Sequence, residues 1–178
     1  MSLLPLTQSS LLPPIETLNA AELGAFSVAV AVLFEACPLL TALLAAQRPF
    51  ASYPALIAAA QACVAGLSLE DRIHVVNSHP LIGADHRKLS QLSRLEQGAA
   101  PPESALAEIK TLNTEYSAKF GFRFIEFVNG RTNEQLIPII KLRLQNQMLD
   151  ELQYGLSAMM LIAKDRLSKL DMQSGNKP

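Results

Sequence analysis

A histidine, a carboxylate and an arginine are the parts needed to move a proton and hold an anion, and this chain carries each in a distinct local context. His79 stands directly before a proline in His79-Pro80-Leu81-Ile82-Gly83. The residue before a proline is pushed out of the α region, so His79 sits in extended backbone, and Pro80 limits where the imidazole points. Ser93, Glu96 and Gln97, in Ser93-Arg94-Leu95-Glu96-Gln97, stand at i, i+3 and i+4. On a helix they line one face and can converge on one ligand. Arg143 closes the largely apolar run Leu136 to Leu144, where an arginine must snorkel or find an anion. Each has a plainer alternative. A lone histidine is most often structural, Glu96 and Gln97 suit a solvated helix end, and Arg143 could form a surface salt bridge with Asp150 or Glu151. His74 and His86 lack the proline context and read as helix-face and loop histidines.

The elements that must position these residues read as helices. Asn19, with Glu22 three residues on, resembles a capping box opening a helix to about Ala36, and Pro38 forces a break before a second helix to about Gln47. Arg48-Pro49-Phe50 is a turn, and Ser52 or Tyr53 opens a third helix ending near Gly66. Ser68 starts a short helix that Pro80 brings to an end. Further helices are expected over Lys88 to Gln97 and over Glu103 to about Phe120, where Gly121 stops the run. Phe122 to Val128 alternates too weakly for a strand and reads as a buried, irregular or short helical connection. Thr132 with Gln135 forms a capping box for the next helix, which carries Pro138, and a long last helix covers about Gln147 to Leu170. The fold class is all-α, a single-domain bundle of about seven or eight helices over residues 16–170. Residues 1–15 form an irregular N-terminal arm and residues 171–178 a polar C-terminal tail.

Composition removes several function classes. At 178 residues, 49% hydrophobic and 17% charged, the chain suits one domain with a full core. Fifteen Lys and Arg are scattered among sixteen acids for a net charge of −1, so no basic stripe awaits nucleic acid. Cys37 and Cys63 form no CxxC pair and read as buried apolar side chains. His79, Asp85 and His86 fit no usual zinc spacing, so no metal site is expected. Glu22, Glu35, Pro38 and Gln47 divide the richest apolar region below membrane-spanning length, and the first fourteen residues, with three prolines and no Lys or Arg, do not read as a signal peptide. A cytoplasmic location follows by default.

Taken with Lys119-Phe120-Gly121-Phe122-Arg123-Phe124-Ile125 and Arg143-Leu144-Gln145-Asn146, the His-Pro and Ser-Arg-Leu-Glu-Gln segments resemble the decarboxylases that act on 2-oxo-4-hydroxy-4-carboxy-5-ureidoimidazoline (OHCU) in urate breakdown. The likeness runs from about Glu16 to Leu170, including Leu33-Phe34-Glu35, Arg48-Pro49-Phe50 and Arg166-Leu167. It implies cofactor-independent conversion of OHCU to (S)-allantoin, with His79 and Glu96 catalytic and Pro80, Ser93, Gln97, Phe122, Ile125 and Arg143 binding substrate. It also implies a homodimer, as does the long apolar last helix. Two departures bear on the loop after Pro80 and on the entrance: many relatives read His-Pro-Asp-Leu-Ala-Gly and have a proline where Arg123 stands. The competing reading is a non-enzymatic helical interaction module, and convergence of His79, Glu96 and Arg143 on one cavity would separate the two.

Overall fold

A computed structural model describes residues 12–84, 89–98 and 102–173. They form nine helices and no strand: α1 (Ile15–Ala20), α2 (Leu23–Phe34), α3 (Pro38–Ala45), α4 (Tyr53–Ala65), α5 (Leu69–Asn77), α6 (Gln91–Gln97), α7 (Glu103–Phe120), α8 (Asn133–Arg143) and α9 (Met148–Gln173). At a rise of 1.5 Å per residue α9 extends about 39 Å, and it packs against α2, α4 and α5. Around that spine Phe26, Leu33, Phe34, Leu56, Val75, Val76, Met159 and Ala163 are buried in one core. No single helix among the described residues is long and apolar enough to cross a membrane. The pair α2 and α3 is apolar in sum but bent by 118°. It buries Phe26, Leu33, Phe34, Leu40 and Leu44 inside the fold.

Local signals explain most boundaries. The Ser52, Ser68 and Ser90 side chains accept from the N–H groups of Ala55, Asp71 and Ser93 and so cap α4, α5 and α6. Thr132 and Gln135 close the expected capping box on α8. The single helix expected from Asn19 to Ala36 is instead two, because Ala21 and Glu22 are extended. Asn19 does not cap. Its amide pairs with both backbone groups of Phe50 at 2.8 Å, and Arg48 donates to the carbonyls of Ala21 and Asn19 while lying over the Phe26 ring. Carbonyls freed by the break thus find a cation across the fold. α6 begins at Gln91 rather than Lys88, which lies outside the described residues, and α9 continues to Gln173.

A buried polar cluster ties α7, α8 and α9. Glu151, fully buried, accepts from Arg143 Nε at 2.9 Å, from Asn146 at 2.7 Å and from the Tyr116 hydroxyl. Removing one partner of such a cluster leaves an uncompensated buried charge, which costs far more than the net worth of the pair. Glu151→Ala is expected to lower unfolding free energy by about 3–5 kcal/mol in urea titrations, whereas Leu161→Ala on the exposed face of the same helix stays within about 0.5 kcal/mol.

Candidate active site

Helix α5 delivers the histidine. Its backbone ends at Asn77, the Ser78 and His79 N–H groups turn back to Val75 and Val76, and Pro80 prevents another helical turn. The loop after Pro80 is then fastened from two sides. Gln97 Oε1 accepts from the Gly83 N–H at 3.0 Å and its Nε2 donates to the Leu81 carbonyl at 3.1 Å. Asn113 donates to the Ile82 carbonyl at 3.0 Å. Gly83 is needed between them: its φ is +72°, and a Cβ there would lie 3.1 Å from Ile109 and 3.2 Å from Leu106.

The resulting cavity, about 230 Å³, is walled by His79, Pro80 and Ile82, by Ser93, Glu96 and Gln97 of α6, by the Ile125–Gly130 loop, and by Ile162, Asp165 and Lys169 of α9. Six sequence-predicted site residues therefore share one cavity: His79, Pro80, Ser93, Glu96, Gln97 and Ile125. Phe122 and Arg143 do not reach it. Phe122 is packed behind the wall against Tyr116 and Phe120. Arg143 also stands behind it, where Nη1 donates to the Ile125 carbonyl at 3.0 Å and to Glu126 at 2.7 Å, and the rest of its fork faces Glu151. The plainer alternative, a salt bridge with Glu151, thus exists, but in the interior rather than at the surface. A larger groove of about 280 Å³ between α4, α5 and α9 includes Arg72, Met160 and Lys164 and none of the predicted residues.

The arginine that holds the α6 side of this cavity is Arg166, only 1% exposed. Its Nε and Nη2 grip the two Glu96 oxygens at 2.6 and 2.8 Å, and Nη2 also reaches Glu35 at 2.7 Å and Ser93 at 3.0 Å. Nη1 donates to the Val32 and Leu33 carbonyls. Such a bidentate, charge-assisted fork fixes direction as well as charge. One oxygen of Glu35 accepts from Ser90, Ser93 and Arg166, and Glu35 itself holds φ +60° with extended ψ, a region nearly reserved for glycine. Sequence reasoning gave no site role to Glu35, Glu126 or Arg166. For Arg166 and Glu35 the available signal was their place in Arg166-Leu167 and Leu33-Phe34-Glu35, segments already matching the family.

His79 is 3% exposed, and neither ring nitrogen has a hydrogen-bond partner among the described residues. Burial first, then the positive charge of Arg166, push its pKa down to about 4, partly offset by Glu35. The imidazole is therefore neutral near pH 7. The Glu35 carboxyl is held below its ordinary range because Arg166 and the serine hydroxyls outweigh the larger opposing effect of burial. Glu96 makes no hydrogen bond to His79; both its oxygens serve Arg166. Among the described residues no cluster of three His, Cys, Asp or Glu could hold a metal, and Asp85 and His86 lie outside them.

Comparison with known proteins gives this geometry a family. Residues 19–168 match the model of the OHCU decarboxylase family. The chain is 30% identical over 163 residues to the OHCU decarboxylase of Xenopus laevis, covering 88% of this chain and 93% of that one. It is 28% identical to that of Halalkalicoccus jeotgali, covering 88% and 90%. The fold resembles the crystal structure of an OHCU decarboxylase determined in the presence of (S)-allantoin, with a TM-score of 0.63 and 24% identity over 75% of this chain and 91% of that one. A family match across the segments that carry His79, the α6 triplet and Arg166 leads to one assignment: the chain belongs to the OHCU decarboxylase family.

Proposed function

We propose that this protein decarboxylates OHCU to (S)-allantoin in urate degradation, with His79 as the proton-transfer group. The observation that carries the assignment of His79 is a buried imidazole with no hydrogen-bond partner among the described residues, in the same cavity as a carboxylate and a serine locked by Arg166. In the substrate, the ring carbon bearing the carboxylate also bears a hydroxyl, and its neighbour is doubly bonded to nitrogen. When the carbon–carbon bond breaks, CO2 leaves and the electron pair forms a ring double bond while the imine electrons move to nitrogen, which takes a proton. The hydroxyl then gives up its proton as the neighbouring carbon gains one on a single face. The substrate is its own electron sink, so this scheme draws on no cofactor.

Neutral His79 can accept the hydroxyl proton and return it to carbon. The carboxylate of Glu35 favours the imidazolium that forms between the two transfers. Glu96, oriented by Arg166, holds the hydroxyl from the opposite side, and Ser93 and Gln97 offer the substrate the hydrogen-bonding capacity left by their structural bonds. Ile125 and the backbone after it face the ring. Arg143 acts from behind, fixing that wall through the Ile125 carbonyl and Glu126. Exposed Leu149 and Tyr154 on α9 offer apolar surface for the homodimer included in this reading. An interaction module has less support, because six site residues share one cavity although Arg143 stays outside it.

His79→Asn is expected to fold yet lose about a hundredfold to ten-thousandfold in rate, with the allantoin formed from freshly generated OHCU losing its optical activity as spontaneous decay takes over. A folded variant making (S)-allantoin at native speed would refute the role of His79. Arg166→Lys keeps the charge but loses the fork on Glu96; kcat should fall at least about tenfold, and an unchanged kcat would show that the fork's direction is unimportant.

The low pKa also sets a stability profile. The unfolded chain protonates this histidine near the ordinary 6.5 and the folded chain only near 4, so the unfolded state binds more protons between those values. Stability present above pH 6.5 should decline as pH falls through that window, by about 3 kcal/mol in all. Urea titrations of His79→Asn from pH 7 to 4.5 should lack this component of the slope; identical slopes would mean that the imidazole is hydrated in the folded protein.

A further inference from the structure

With neither ring nitrogen of His79 held by a hydrogen bond among the described residues, the direction of its imidazole is inherited from backbone and packing. That backbone is pinned on both sides. The His79 N–H donates to Val76 at 3.1 Å, and its carbonyl accepts from Nη1 of Arg123 at 2.8 Å. Arg123 comes from the loop that supplies the facing wall, and its own N–H donates to Asn77 Oδ1 at 3.0 Å. Two bonds thus cross between the walls, both donated by Arg123, one from its backbone to a side chain and one from its side chain to a backbone carbonyl. The guanidinium also places a positive charge just past the C-terminal end of α5, where the helix dipole favours it. Arg123 is not among the residues lining the cavity.

We propose that Arg123 is a positioning residue for decarboxylation, strapping the His79 backbone to the loop that carries the Ile125–Gly130 wall so that the imidazole meets the substrate held there. This rests on His79 being the proton-transfer group. Proton transfer is sensitive to placement, and a displacement of about 1 Å can cost about a hundredfold. A lysine can reach the same carbonyl through one donor without the planar fork.

The test compares Arg123→Met, which keeps the apolar stem, with Arg123→Lys, His79→Asn and the double variant His79→Asn/Arg123→Met, all assayed with freshly generated OHCU. Arg123→Met should lower kcat about tenfold to a hundredfold with KM within about twofold, and reduce the enantiomeric excess of the allantoin. Arg123→Lys should recover much of the loss. The Cε1–H resonance of His79 should move in Arg123→Met, and the same substitution should add nothing in the His79→Asn background. Native kcat with an unmoved resonance would overturn the proposal, as would equal losses in both backgrounds. If His79→Asn alone keeps the native rate, the catalytic reading falls, while the resonance still decides whether Arg123 holds His79.

Discussion

The site depends on one buried positive charge. Arg166 is shut away from water by α2, α6 and α9, and desolvating a guanidinium is costly unless its donors are nearly all used. Here its nitrogens reach Glu96, Glu35, Ser93 and two backbone carbonyls at the end of α2. Two of those partners, Ser93 and Glu96, are simultaneously part of the cavity wall. The interactions that make the charge tolerable therefore also fix the direction of the α6 residues, and the site cannot loosen there without exposing an unpaired ion to the core.

A second network does the same for the opposite wall. Tyr116, Glu151 and Arg143 connect α7, α9 and α8 and end on the Ile125 carbonyl and Glu126. Irregular backbone can serve as a wall because its polar groups are claimed by side chains arriving from behind. Between the two networks lies the loop after Pro80, held by Gln97, Asn113 and a glycine that α7 leaves no room to enlarge. Glu35, whose backbone costs about 1–3 kcal/mol to hold, remains in place because three donors converge on one of its oxygens.

Where the cause of a feature lay within a few residues, the sequence was legible. Ser52, Ser68, Thr132 with Gln135, and Gly121 mark helix ends through local hydrogen bonds or a positive φ, and the spacing of Ser93, Glu96 and Gln97 put them on one helix face. Features with distant causes were not. Asn19 looks like a cap, yet its partner is Phe50, 31 positions on. Arg143 looks like an anion binder, and its anions are Glu126 and Glu151, supplied by other segments of the same chain. Arg166 showed no local pattern, because the carboxylates that define it are 70 and 131 positions away.

Those separations govern when the site can exist. A growing chain has His79, Ser93 and Glu96 in place along its length long before α9 is synthesised, but it lacks the guanidinium that organises Ser93 and Glu96. Closing the Glu35 to Arg166 contact requires a loop of 131 positions, an entropic cost met only when α9 docks against α2. The cavity is therefore among the last parts of the molecule to take shape, and a nascent or C-terminally shortened chain carries the histidine motif without an assembled reaction centre.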